Sequence, residues 1–129
     1  MKYTKFITLF LDDIDDEEKG FYNAALYLNE FGILSEEKKK KLENNLKWID
    51  SNLNKRPDFN QNQDEFSLDI PMTWLKGNAS EHIIRMNEIK DIMEENDILV
   101  EVLETDDLGT ILYEDEFQVV ALPMIAMPI

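Results

Sequence analysis

The sequence predicts an α+β fold in which about three helices pack on one face of a small, mostly antiparallel sheet. Two observations support this prediction. Apolar residues recur at helical spacing in three segments, and short runs rich in β-branched and aromatic residues separate them. From residue 66 onward the predicted order is strand, helix, strand, strand, strand. A length of 129 residues favours a single domain, residues 1–129.

The first predicted unit, residues 1–32, combines a strand with a helix. Tyr3 to Leu11 is rich in aromatic and β-branched residues, as strands are. An acidic run, Asp12 to Glu18, follows and favours the start of a helix, since carboxylates there oppose the helix dipole. Gly32 is the predicted C-cap. The apolar stripe of this helix is predicted to be Phe21, Ala25, Leu28 and Phe31.

The second helix has the clearest signals. Ser35 is a good N-cap, and acidic residues occupy the first turn after it. Lys38 to Lys41 are predicted to form a solvated face. Residues 54–65, which contain Pro57 and many amides, form the predicted internal loop. The apolar stripe is Leu42, Leu46, Ile49 and Leu53.

The third helix follows an extended segment, Phe66 to Lys76, in which Pro71 predicts an edge strand. Asn78 is the predicted N-cap, with Glu81 at the capping-box position. The predicted buried stripe is His82, Met86, Ile89 and Met93, with Ile92 beside it.

The carboxy-terminal part is predicted to be all strand. Ile98 to Thr105 is the first of these strands, and Asp106 to Gly109 is a turn. Thr110 to Tyr113 and Phe117 to Leu122 follow as two strands joined at Glu114–Glu116.

Charge restricts the function more than any motif does. The chain carries 28 acidic against 13 basic residues, a formal net charge of −15. Such a protein repels nucleic acid and anionic membranes and attracts cations or a basic protein surface. The absence of cysteine excludes disulfides and thiol catalysis. No apolar run approaches a transmembrane length or fits a signal peptide, so the expected location is cytoplasmic.

The acidic run has the alternating spacing of a calcium loop at Asp13, Asp15 and Glu17. An EF-hand, however, requires glycine at the sixth position and glutamate at the twelfth. These positions hold Glu18 and Ala24. We therefore predict no metal site, and no motif indicates a cofactor.

Lys76, His82 and Arg85 form the most chemically varied segment. His82 is the single histidine, the side chain that most often serves as general acid or base. Lys76 and Arg85 could hold an anion near the start of the third helix. The competing interpretation is that His82 packs in the core and Arg85 pairs with a carboxylate.

The predicted partner-binding residues are the acidic clusters. Clustering of these carboxylates on one face would favour the docking of a basic protein surface. They are Asp12, Asp13, Asp15, Asp16, Glu17, Glu18, Asp106, Asp107, Glu114, Asp115 and Glu116.

The carboxy-terminal half resembles a family of short, uncharacterised bacterial proteins. The resembling segments are Trp74–Lys76, Glu81–Met86 and Gly109–Pro123, and the resemblance spans roughly residues 36–123. Leu75 departs from it, since an aromatic residue is expected there. Residues 1–32 lie outside the resemblance, which implies that they are an N-terminal addition to the domain. The family has no known activity, so the resemblance implies no mechanism. It does imply a shared surface around Lys76, His82, Arg85 and residues 113–116.

Three functions follow from these observations. The first is a small acidic inhibitor, immunity-type protein or adaptor that docks a basic surface of a protein partner, in one version by mimicking nucleic-acid charge. The second is a small enzyme or ligand-binding domain that uses Lys76, His82 and Arg85. The third is a homo-oligomer formed through the apolar tail, residues 121–129, or the predicted edge strand. We expect the first, and a binding protein rather than an enzyme.

Overall fold

The computed structural model describes residues 1–8, 17–55, 57 and 71–122. Within these residues the chain forms three helices and one five-stranded antiparallel sheet, which confirms the predicted α+β fold. The elements in chain order are β1 (Tyr3–Ile7), α1 (Glu17–Phe31), α2 (Glu36–Asn52), β2 (Met72–Leu75), α3 (Ser80–Glu95), β3 (Glu101–Thr105), β4 (Thr110–Glu114) and β5 (Gln118–Leu122).

The strand order in the sheet is β3-β1-β2-β5-β4, so β2 lies at the centre. The prediction of an edge strand at Pro71 is therefore wrong. Pro71 immediately precedes β2, and Thr73 and Leu75 pair with Val120 and Gln118 of β5. Because the proline lies outside the ladder, its missing N–H removes no hydrogen bond from the strand.

The two edge strands of the sheet, β3 and β4, are joined by only four residues, 106–109. The predicted turn at 106–109 is therefore a connection between the sheet edges, and its Leu108 is buried against Val119 and Ala121.

The helices cover one face of the sheet, and the core lies between them. Phe6 of β1 and Leu75 of β2 contribute the sheet side. The helix side confirms most of the predicted stripes, but Phe31 is an exception, because its side chain is 63% exposed. The fully or largely buried helix residues are Phe21, Ala24, Ala25, Leu28, Leu42, Ile49, Met86, Ile89, Ile92 and Met93.

The amino-terminal segment is an integral part of this core. β1 lies between β3 and β2, and Phe21 of α1 packs against Phe6 with ring centroids 6.0 Å apart. On the helix-free face, Lys5 is buried and its Nζ lies 5.7 Å from the ring centre of Trp74. Residues 3–7 and 17–31 therefore belong to the same unit as the carboxy-terminal strands.

The helix ends confirm two of the three predicted caps. The Ser35 hydroxyl accepts a hydrogen bond from the Lys38 amide at 3.2 Å, and Gly32 follows the last residue of α1. Asn78 is not the cap of α3, because the N-cap position is Ala79. The Asn78 side chain instead donates to the Glu116 carbonyl at 3.3 Å, which ties the start of α3 to the β4–β5 hairpin.

Candidate functional site

The structure separates Lys76 from His82 and Arg85. Lys76 directly follows β2, and its Nζ forms an ion pair with Glu114. In the β4–β5 ladder Glu114 lies opposite Val119, and Val119 packs beside Trp74 on the helix-free face. His82 lies in the helical layer on the opposite face, so these side chains do not form the convergent pocket that the ligand-binding hypothesis requires.

His82 is a buried core residue with 3% of its surface exposed. Its ring lies between Trp48, at a centroid distance of 4.8 Å, and Phe117, at 4.6 Å. Its Nε2 lies 2.8 Å from the Asn52 carbonyl oxygen. A carbonyl only accepts hydrogen bonds, so Nε2 carries a proton and holds the end of α2 against the start of α3. These contacts fit the structural interpretation of His82.

Arg85 makes three contacts, one within α3 and two that connect α3 to α2. Its Nε donates to Glu81 at 2.9 Å, and its Nη1 donates to Asn45 at 3.2 Å. Its guanidinium also lies 4.5 Å from the ring centre of Trp48. Glu88 accepts a hydrogen bond from the buried Asn45 at 2.8 Å, which completes a polar link between the two helices. Arg85 is thus occupied within the fold.

Asp115, at the tip of the β4–β5 hairpin, also makes its hydrogen bonds within the protein. Its carboxylate accepts hydrogen bonds from the amides of Phe117 and Gln118 and from the side chains of Gln118 and Tyr113, at 2.9–3.1 Å. Desolvation raises the pKa of Asp115, but these hydrogen bonds outweigh it and lower the pKa below the usual value. In return, the hydrogen bond to Asp115 raises the pKa of the Tyr113 hydroxyl.

The predicted acidic segments therefore differ in what they can offer a partner. Glu114 is paired and Asp115 is internal, whereas Glu116, Asp106 and Asp107 are exposed. Asp107 also accepts a hydrogen bond from the Gly109 amide within its own turn, at 3.2 Å. Asp12, Asp13, Asp15 and Asp16 lie outside the described residues, and Glu17 and Glu18 are the first residues of α1.

A larger group of acidic residues lies in the segment from the end of α3 to the turn after β3. From residue 91 to residue 109 the chain contains eight carboxylates and no lysine, arginine or histidine. Four of them lie at the carboxy-terminal end of α3 and four lie on or just after β3. We call this group the acidic edge: Asp91, Glu94, Glu95, Asp97, Glu101, Glu104, Asp106 and Asp107.

Within the described residues, the backbone of β3 is open on its outer side. β3 pairs with β1 alone among the described strands and ends the sheet there. Glu101, Val102 and Glu104 are exposed along it, and Leu99, just before it, is 73% exposed. Carboxylates, apolar side chains and unpaired backbone groups thus occur together on the same strand.

Among the described residues, only three cations form ion pairs with carboxylates of the acidic edge. Lys2 lies 3.3 Å from Glu104, Lys38 lies 3.4 Å from Glu95, and Lys90 lies 2.7 Å from Glu94. The hydrogen bond to Glu94 raises the pKa of Lys90, so this lysine stays charged. The other five carboxylates make no ion pair with a described residue. They therefore leave the edge with a local negative charge.

The acidic residues at the end of α3 are unfavourable for the helix itself. The carboxy-terminal end of a helix carries partial negative charge, and cations are favoured there. Glu94 and Glu95 occupy the last turn of α3, which has no basic residue. Asp97 then adopts a left-handed conformation with φ 65°, where glycine is favoured. A cation from a partner would offset this accumulation of negative charge.

The sequence prediction found Asp106 and Asp107 of this edge but missed the other six residues. The signal was present as the absence of basic residues over 91–109. The sequence did not indicate that these residues act together, because Asp91, Glu94 and Glu95 belong to a helix and Glu101 and Glu104 belong to a strand. Only the pairing of β3 with β1 places the strand at the edge, directly after the end of α3.

Comparisons with known proteins add no relative: no family model, curated protein or solved structure matches this chain. Within the described ranges, no group of His, Asp or Glu side chains could hold a metal ion. Among the described helices, none is long and apolar enough to cross a membrane.

Proposed function

We propose that this protein is a small acidic interaction protein that binds a basic surface of a protein partner along its acidic edge. The supporting observation is the run of eight carboxylates over 91–109 without a single cation, four of them on or just after β3, which pairs with β1 alone among the described strands. Charge complementarity of this kind steers a basic partner to its site and disfavours the binding of acidic proteins.

The geometry favours a partner that presents an extended basic segment. Such a segment can add a strand to a sheet edge, where main-chain hydrogen bonds supply affinity and alternate side chains supply specificity. Its lysine or arginine side chains would meet Glu101 and Glu104, and an apolar residue would contact Val102 or Leu99. An inhibitor or immunity-type protein could in this way cover the basic site of a nucleic-acid-binding enzyme, as charge mimicry requires.

Charged residues on an edge strand also have a simpler role, because they prevent the sheets of two molecules from pairing. The two roles predict different results. If the carboxylates only protect the edge, their removal causes self-association. If they bind a partner, their removal releases that partner.

The test is the double variant Glu101→Gln and Glu104→Gln, used as bait in a lysate of the native host. The matched control is Glu36→Gln with Glu37→Gln, which removes the same charge from exposed positions of α2. We expect wild type and control to retain one stoichiometric basic protein and the edge variant to lose it. If all three baits retain that protein and the edge variant forms new dimers in sedimentation, the carboxylates only protect the edge and the proposed partner binding is wrong.

The salt dependence of binding provides a second measurement. Electrostatic steering raises the association rate at low ionic strength and is screened as the Debye length falls to about 8 Å at 0.15 M. We therefore expect the association rate of wild type to fall steeply between 0.02 and 0.2 M salt. The edge variant should show a shallower slope than the control variant.

The remaining expectations from the sequence stay predictions. They are the resemblance to a bacterial family, the cytoplasmic location and the alternative of a homo-oligomer. The apolar tail from residue 123 onward, which the oligomer hypothesis uses, lies outside the described residues.

A further inference from the structure

A cavity of about 630 Å³ lies between α1, α2 and the helix-covered face of the sheet. Its walls are mainly apolar, and they include Tyr22, Leu26, Leu46, Ile49 and Leu75. Protein interiors contain few voids larger than a water molecule. The volume falls instead within the range of about 300–1,000 Å³ that is typical of small-molecule sites.

The charges around this cavity differ from those of the molecule as a whole. Lys47 and Lys55 line it together with Asp50, and all three are exposed. Among the described residues that line the cavity this is a local excess of cations, in a chain with 28 acidic and 13 basic residues. Gln118 and Thr4 add buried polar groups on the sheet side. The site thus combines an apolar interior with cationic side chains that can reach a head group.

We propose that this cavity binds an anionic amphiphile, specifically a medium-chain fatty carboxylate. The alkyl chain lies against Leu46, Ile49 and Leu75, and the carboxylate pairs with Lys47 or Lys55. Burial of each methylene group tightens binding by about fourfold. This site is independent of the acidic edge, because no residue of that edge lines the cavity.

The test is a calorimetric titration of the full chain with octanoate, decanoate and dodecanoate below their micelle concentrations. We expect saturable binding of one molecule, tightening about 15-fold for each added pair of carbons until the cavity is full. A cationic amphiphile, dodecyltrimethylammonium, is the head-group control. The net charge of −15 alone would favour the cation, so tighter binding of the carboxylate by tenfold or more can come only from local lysines.

Residues 58–70 are the competing occupant, since they join Pro57 to Pro71 and carry four large apolar side chains. If the chain fills its own cavity, none of the carboxylates will bind and the proposal is wrong. Equal binding of both head groups would show a non-specific apolar contact and would overturn it as well.

Two pairs of variants locate the site. Leu26 lines the cavity and is 53% exposed, whereas its neighbour Tyr27 does not line it and is 54% exposed. We expect Leu26→Glu to weaken dodecanoate binding at least tenfold, because it places a carboxylate beside the ligand, and Tyr27→Glu to leave it within twofold. Lys47→Gln with Lys55→Gln should remove the preference for the anionic head group, whereas Lys39→Gln with Lys40→Gln should retain it. Equal effects within either pair would place any binding outside this cavity.

Discussion

The Nε2 of His82 donates a hydrogen bond to the backbone carbonyl of Asn52 over 2.8 Å, and this contact joins the last turn of α2 to the first turn of α3. The single histidine of the chain is thereby used to hold two helices together. Its ring fills the space between Trp48 and Phe117, and neither ring nitrogen is directed to a site shared with Lys76.

Replacement of His82 by alanine should reduce stability without affecting partner binding. We expect a loss of about 2–4 kcal/mol in the free energy of unfolding, from the cavity left by the ring and the unpaired carbonyl of Asn52. Urea unfolding followed by tryptophan fluorescence measures it. Ile84→Ala on the same helix is the control, because Ile84 is 53% exposed and should cost less than about 0.5 kcal/mol. A stable His82→Ala protein that no longer retains the partner would show a functional histidine.

Asp115 should make stability dependent on pH in the acid range. Its pKa is lower in the folded than in the unfolded chain, so the stability it contributes is present at neutral pH. That contribution is lost as the pH falls below about 4. We expect Asp115→Asn to cost about 1–2 kcal/mol at pH 7, and the difference from wild type to shrink towards pH 2. Asp107→Asn is the control, and an undiminished difference at pH 2 would contradict the role of the charge.

Asp97 should be a site where glycine stabilises the protein. The Ile98 amide donates to the Met93 carbonyl and the Asp97 amide to the Glu94 carbonyl, the two hydrogen bonds of a Schellman motif. The residue in the left-handed position of that motif is Asp97, with φ 65°. We expect Asp97→Gly to raise the free energy of unfolding by about 1 kcal/mol.

The matched substitution within α3, Asp91→Gly, should change the free energy of unfolding in the opposite direction. Asp91 is exposed and helical, so Asp91→Gly should lower the free energy of unfolding by about 0.3 kcal/mol, the difference between the helix propensities of the two residues. Both variants remove one carboxylate, and a thermal melt of each against wild type separates charge from backbone conformation. A shift of the same sign in both would show that charge dominates.

Gly32 should not tolerate a side chain. A Cβ at this position would lie 2.4 Å from the carbonyl oxygen of Leu28, which is backbone and cannot move aside. The Gly32 amide already donates to that same oxygen at 2.8 Å. We expect Gly32→Ala to cost about 2 kcal/mol or more in urea unfolding, whereas Ile33→Ala, at a fully exposed position, should cost almost nothing. An unchanged midpoint for Gly32→Ala would mean that the end of α1 relaxes freely.

The sequence by itself determined the features that depend on local spacing. The stripe of α2 and its cap at Ser35 follow from helical periodicity and from the hydrogen-bonding capacity of one side chain. The hairpin at Glu114–Glu116 was predictable for the same reason, since its strands are neighbours in the chain. Net charge also restricts the class of partner without any knowledge of the fold.

The tertiary structure alone decided what depends on the pairing of strands distant in sequence. The alternation of side chains in a strand defines two faces, but only pairing shows which face meets the helices. Pairing of β2 with both β1 and β5 placed Lys76 away from His82 and made the strand after Pro71 central. Among the described strands β3 pairs with β1 alone, which placed Glu101 and Glu104 on an edge strand of the sheet.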